Sequence, residues 1–220
     1  MFNYLFFVLI YLIVCNWIQL YYLLGNVLKP HHKLTTVDGK GILSKLNKKT
    51  KLNLTIKTIA EKKKAIGFMV TSPPFKPVML FSERLYNVLN PSEFEWVALH
   101  ESGHYLMWHN VKFAFSQVGI GIVGLFFVYY FKMTSFMFAF LFSVILAVFY
   151  IQFVRIFEYQ ADYYAVTHMD NPKGMITANI KMKKINKTLD GNKTLLRFFV
   201  IAVPYEVRIK MAKRQLKLNE

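Results

Sequence analysis

The chain has 220 residues, 55% of them hydrophobic and 17% aromatic, and 28 Lys and Arg against 12 Asp and Glu give it a net charge of +16. That apolar share exceeds what an ordinary soluble domain carries and excludes a purely soluble reading. The lone cysteine, Cys15, excludes an intramolecular disulfide and a disulfide-built fold.

Residues 2–24, "FNYLFFVLIYLIVCNWIQLYYLL", carry no charge and exceed the roughly 20 residues that a helix needs to cross about 30 Å of hydrocarbon. No basic segment precedes this run and no A-x-A-like site follows it, so the expectation is a retained transmembrane helix. Downstream, Leu54–Ala60, Ala65–Ser72 and Pro77–Phe81 are short β-branched or aromatic runs broken by "EKKK" and "PPFK", which predicts a small antiparallel sheet. "SERLYNVLN" then reads as a short helix that stops before Pro91. Ser92 and Glu95 have the S-x-x-E spacing of a capping box and predict a helix through "FEWVALHESGHYLMWHN".

Two further apolar blocks, 113–131 and 133–154, are separated by Lys132 and read as a transmembrane hairpin whose lysine reaches the headgroups. Helix is expected to continue through 155–167. The tail from "NPKG" to Glu220 is Lys-rich, and its apolar patch "LLRFFVIAV" is too short to span. Residues 25–112 carry 14 Lys and Arg against 6 acids, and 155–220 carry 13 against 6. The positive-inside rule therefore puts both polar parts in the cytoplasm of a multi-pass cell-membrane protein. Membrane lipid accounts for the basic charge; no recognition motif accompanies it, so nucleic acid is not an expected partner.

The chemistry is concentrated in "HESGH". His100 and His104 are four apart, so on a helix they share one face and two imidazole nitrogens can close on one zinc ion. Glu101 is rotated from that pair, where it acts on a water without ligating. His109 departs from the H-x-x-G-x-x-H continuation, since Met107 replaces the glycine and the histidine comes one residue early; it is expected at the membrane interface or in solvent. The third ligand is sought in "RIFEYQADYYAV", where Glu158 and Asp162 are again four apart. Glu158 is the candidate oxygen ligand, and Asp162 the acceptor for the outer nitrogen of a ligating histidine. Isolated acids this close to lipid are costly, which argues against a merely solvated pair.

"HESGH" and "FEYQADYYA", separated by a transmembrane hairpin, resemble the integral-membrane zinc metallopeptidases that include the HtpX-type proteases and the type I CAAX prenyl proteases. The resemblance runs from about residue 40 to 215. With the three apolar runs and the short β-branched runs, it gives the expected fold: a mainly α integral membrane protein with a small β-sheet, three transmembrane helices and a gluzincin-like core. It further implies one zinc per chain on His100, His104 and Glu158, Glu101 as general base and Asp162 behind the ligands. "PYEVRI" resembles the family's H-P-x-x-x-x-R-I segment, with Arg208 as the oxyanion-stabilising arginine and Ala202 about where a histidine is expected. The family's Asn-Ala-aromatic strand is matched only loosely by Lys64, Ala65 and Ile66. The function so implied is hydrolysis of membrane-associated or misfolded proteins, bound in extended form, at the cytoplasmic face. Two alternatives stand beside it: a site-2-type intramembrane protease taking its third ligand from Leu189-Asp190-Gly191, and a non-catalytic membrane adaptor that keeps the zinc fold.

Overall fold

The computed structural model describes residues 34–60, 66–132, 136–185 and 203–218. The predicted first span with Cys15, the Lys64–Ala65 pair, Leu189-Asp190-Gly191 and Ala202 lie outside them. The described chain divides into two compact units. One comprises 111–132 and 136–156; the other comprises 34–60, 66–110, 157–185 and 203–218.

The second unit is built on a four-stranded sheet of β1 (Thr35–Val37), β2 (Thr55–Ile59), β3 (Gly67–Met69) and β4 (Val78–Ser82), in the order β1-β2-β4-β3. β1 with β2 and β3 with β4 are antiparallel, but β2 and β4 run parallel, Ile56 opposite Met79 and Thr58 opposite Phe81. The sheet is therefore mixed, not antiparallel throughout. Burial explains the order. β4 brings the fully buried Met79 and Phe81 and takes an interior place, whereas the short, glycine-containing β3, with Phe68 exposed, is left at an edge.

Besides the short α2 (Glu83–Val88), which Ser82 caps by accepting from Leu85 N–H at 3.2 Å, five helices contribute a turn or more to this unit. They are α1 (Leu43–Thr50), α3 (Pro91–Leu106), the end of α5 (Phe136–His168), α6 (Lys173–Ile185) and α7 (Tyr205–Leu218). α3 starts two residues earlier than expected. Its capping box is Asn90 with Glu93: Glu93 N donates to Asn90 Oδ1 at 2.9 Å, Asn90 N donates to Glu93 Oε2 at 2.8 Å, and Pro91 occupies the first turn. Glu95 is not free for a cap, because Lys45 and Lys49 of α1 hold its carboxylate at 3.1 and 2.6 Å.

α3 is the central element, buried along 93–104. Phe94, Ala98 and Leu99 pack with Ile56, Met79 and Phe81 of the sheet and with Met175 and Ala178 of α6, and each fully buried large side chain here is worth about 1.5–3 kcal/mol. α6 comes close because residue 174 is glycine: a Cβ there would lie 2.6 Å from the Ser92 carbonyl oxygen.

The first unit holds most of α4 (His109–Tyr130) and the N-terminal part of α5. α4 and residues 140–168 of α5 are long and apolar enough to cross a membrane. Their most apolar windows are only 11% and 33% buried, with Phe115, Ile122, Phe126, Phe138 and Phe149 outward. A helix in a soluble core would hide these side chains; these two present them to their surroundings. Lys132 follows α4 with a left-handed φ of 45°, at the predicted hairpin tip.

Candidate metal centre

α3 supplies His100, Glu101 and His104; α5 supplies Glu158 and Asp162; α7 supplies Arg208. α3 and α5 meet closely because Gly103 has no side chain. A Cβ there would lie 3.3 Å from the Ala161 backbone and 3.2 Å from the Tyr164 ring. The glycine in "HESGH" and the alanine in "EYQAD" are thus the contact that lets the two motifs face one another.

Across this contact His100 Nε2 and His104 Nε2 are 3.2 Å apart, His104 Nε2 is 3.3 Å from Glu158 Oε1, and His100 Nε2 is 3.6 Å from Glu158 Oε2. Ligands about 2.0–2.1 Å from a tetrahedral ion stand roughly 3.3 Å from each other, so this triangle has the size of a metal site. Among the described residues it is the group of three donors able to hold an ion. Charge points the same way. Glu101, Glu158 and Asp162 bring three carboxyl groups against the one guanidinium of Arg208, a donor set that favours a cation.

Behind the triangle, His100 Nδ1 is 2.9 Å from Asp162 Oδ1. Arg208 Nε donates to Asp162 Oδ2 at 2.7 Å, and Arg208 Nη2 lies 3.3 Å from Glu158 Oε2. Arg208 also lies 5.6 Å over the Trp96 ring. Burial disfavours a charged His100, but Asp162 and Glu158 outweigh it and raise its pKa above the ordinary histidine value. Burial likewise opposes the charge on Arg208, and the same two carboxylates more than restore it.

Glu101, next to His100 on α3, reaches the sheet, where its Oε2 accepts from Met69 N at 2.7 Å. Burial raises its pKa above the usual carboxylate range, with His100 and His104 acting in the opposite direction. Met69 belongs to the edge strand. Ile66 O and Val70 N bond to β4, so the alternate residues Gly67 and Met69 turn their backbone groups away from β4.

His109 is not solvated: it is fully buried. Trp108, with φ of 58°, interrupts the helix between Leu106 and His109. A left-handed conformation costs a non-glycine residue roughly 1–2 kcal/mol. His109 Nδ1 then lies 2.9 Å from His104 Nδ1, its Nε2 lies 3.1 Å from Gln160 Oε1, and its ring stacks on Phe157 at 4.9 Å. Neither His109 nor Gln160 was legible as part of the site: the helix break removes the regular spacing at His109, and Gln160, an uncharged residue between Glu158 and Asp162, carries no signal of its own.

No curated protein matches the chain by sequence. Among solved structures it is similar to the crystal structure of S. mikatae Ste24p, at 16% identity and a TM-score of 0.59 over 89% of this chain. It spans 55% of the length of that structure, a likeness of fold. The family model for peptidase family M48 matches residues 40–211, a stretch that holds both helical motifs and the arginine behind them, and the chain belongs to that family.

Proposed function

We propose that the protein is a membrane-bound, zinc-dependent endopeptidase that cuts membrane-associated or misfolded proteins at the cytoplasmic face. The observation that carries this reading is the triangle of His100 Nε2, His104 Nε2 and Glu158 at 3.2–3.6 Å beside a buried Glu101 that is not part of it. Zinc held by those three residues would supply Lewis acidity, lowering a water's pKa toward about 7 and polarising the scissile carbonyl.

The chain's own residues do the rest. Glu101, fixed through Oε2 by Met69 N–H and made more basic by burial, takes a proton from the attacking water and returns it to the leaving amine. Arg208 is held charged between Asp162 and Glu158 and supplies the positive charge that would stabilise the oxyanion as the carbonyl turns tetrahedral. Asp162, 2.9 Å from His100 Nδ1, favours the tautomer that leaves the Nε2 lone pair facing the other two donors. The outward edge of β3 receives substrate as an added extended strand, next to the base that acts on it.

The basic charge supports the cytoplasmic orientation: 27 of the 28 Lys and Arg lie in 25–112 and 155–220, and one lies at the hairpin tip. Glu158 already supplies a third donor, so this reading gives Leu189-Asp190-Gly191 no role. The test is reconstitution. Chelator-treated protein should lose cleavage of an unfolded substrate and regain it with one equivalent of zinc. Cleavage that survives complete metal removal would sink the proposal.

A further inference from the structure

Each of the two α3 histidines in the triangle has a second ring nitrogen that must be satisfied, and the two are treated differently. His100 Nδ1 faces the carboxylate of Asp162 at 2.9 Å. His104 Nδ1 faces another imidazole, His109 Nδ1, also at 2.9 Å. Two nitrogens at that separation share one proton, and the ring that carries it decides what His104 can do. With the proton on His104 Nδ1, the lone pair of His104 Nε2 points at the triangle. With it on His109 Nδ1, a neutral His104 carries its own proton on Nε2 and cannot ligate.

We infer that His109 and Gln160 are positioning residues that set the tautomer of His104 and aim its Nε2 into the metal site. Gln160 decides the direction of the chain. Its Oε1 lies 3.1 Å from His109 Nε2 and can only accept, so His109 carries its proton on Nε2. A neutral His109 then has a bare Nδ1, which accepts from His104 Nδ1–H. Three groups in series thus fix one proton each, and the lone pair left over is the one on His104 Nε2. The His109 ring is held for this by full burial and by stacking on Phe157 at 4.9 Å and 28°. The left-handed Trp108 turns His109 onto His104; an unbroken helix would carry a residue five positions on to a different face.

The inference rests on the metallopeptidase reading, and affinity separates the two. The measurement is zinc affinity by competition with a chromophoric chelator, together with the visible spectrum of the cobalt-substituted protein and the melting point of the metal-free form. His109→Phe keeps a stacked ring but has no acceptor, and should weaken zinc 10–100-fold, the usual cost of losing a partner behind a ligand. Gln160→Met, at an exposed position, should weaken it several-fold. His109→Asn places an amide oxygen near where Nδ1 stands and should recover most of the loss and the wild-type cobalt spectrum.

Wild-type affinity in a folded His109→Phe overturns the inference while the metallopeptidase reading survives. Failure of His109→Asn to rescue a weakened His109→Phe overturns it too, since the loss then comes from packing. If His109→Phe does not fold, Gln160→Met and His109→Asn decide the matter by the same criteria, wild-type affinity in the former being the contrary result. Zinc that binds Glu158→Ala as tightly as wild type contradicts the underlying reading instead.

Discussion

Glu101 Oε2 accepts a hydrogen bond from the backbone N–H of Met69 at 2.7 Å, which ties the proposed base to the edge strand of the sheet. The bond comes from the side of β3 that faces away from β4, the side on which an extended substrate would add. In the proposed mode of binding the base and the substrate strand would share this edge, and removing the N–H should be felt in turnover. Met69→Pro deletes the donor without breaking a β3–β4 ladder bond, and Met69→Leu keeps both donor and bulk. The expected result is a fall in kcat of about tenfold or more for Met69→Pro at unchanged metal content, since a charge-assisted hydrogen bond is worth about 1.5–3 kcal/mol. Met69→Leu should stay near wild type. Equal kcat in both variants would mean the contact does not orient the base.

The three donors stand in one triangle, so loss of any one should release the ion. His104→Ala and Glu158→Ala are expected to purify without zinc, while Asp190→Ala retains one equivalent. Elemental analysis of the purified proteins checks this, and the reverse pattern would favour a site-2-type arrangement.

Arg208 is the counter-charge for a completely buried Asp162. Arg208→Ala leaves that carboxylate uncompensated, which typically costs about 3–5 kcal/mol of stability, in addition to the roughly 2.7–4 kcal/mol in rate expected for a lost oxyanion donor. Arg208→Lys should recover more of the melting temperature than of the activity, because a lysine restores charge but not the fork of donors. Full activity in Arg208→Lys would argue against a geometric role for the guanidinium.

Acid stability should report on the start of α3. Burial raises the pKa of Glu93, but Lys181 at 2.7 Å and the Asn90 N–H outweigh it and hold it below its ordinary 4.5. A group depressed in the folded state stabilises at pH values above its unfolded pKa, and the contribution is lost as pH falls through the folded one. Wild type should therefore lose stability below about pH 4.5 relative to its value at pH 7 by more than Glu93→Gln does. At pH 7 the variant should be less stable by about 1 kcal/mol, the usual worth of a helix cap. Parallel melting curves for the two proteins across pH 3–7 would contradict this assignment.

His100, His104, Glu158 and Asp162 were legible in sequence because each pair repeats at the helical period of four, and the structure brings the pairs together. The helices of the hairpin were legible from hydrocarbon-like composition, with boundaries shifted by a few residues. What escaped was set by tertiary contacts. Glu95 has the spacing of a capping residue but is claimed by Lys45 and Lys49, and the Asn90-Pro91 pair with Glu93 was the better start signal. The parallel pairing of β2 with β4 depends on β3 taking the edge, which no local pattern encodes. α6 and α7 read as a Lys-rich tail, since their few buried residues, among them Met175, Ala178 and Met182 of α6 and Arg208 and Ala212 of α7, are set among lysines. His109 joins the site through a left-handed tryptophan, a conformation that the residue type itself disfavours.

The central claim is hydrolysis by a metal site with Glu101 as its base, and Glu101→Gln tests it most directly. The substitution keeps shape, leaves the three donors of the triangle intact, and removes only the carboxylate that takes the proton. Measured on an unfolded protein substrate beside wild type, with zinc content and melting temperature determined on the same samples, the variant should be folded and zinc-loaded. It should turn over about a hundredfold to ten-thousandfold more slowly. Equal turnover by the two proteins, or no cleavage by either one at full zinc loading, would contradict the hydrolytic account and favour a non-catalytic role for the zinc-bearing fold.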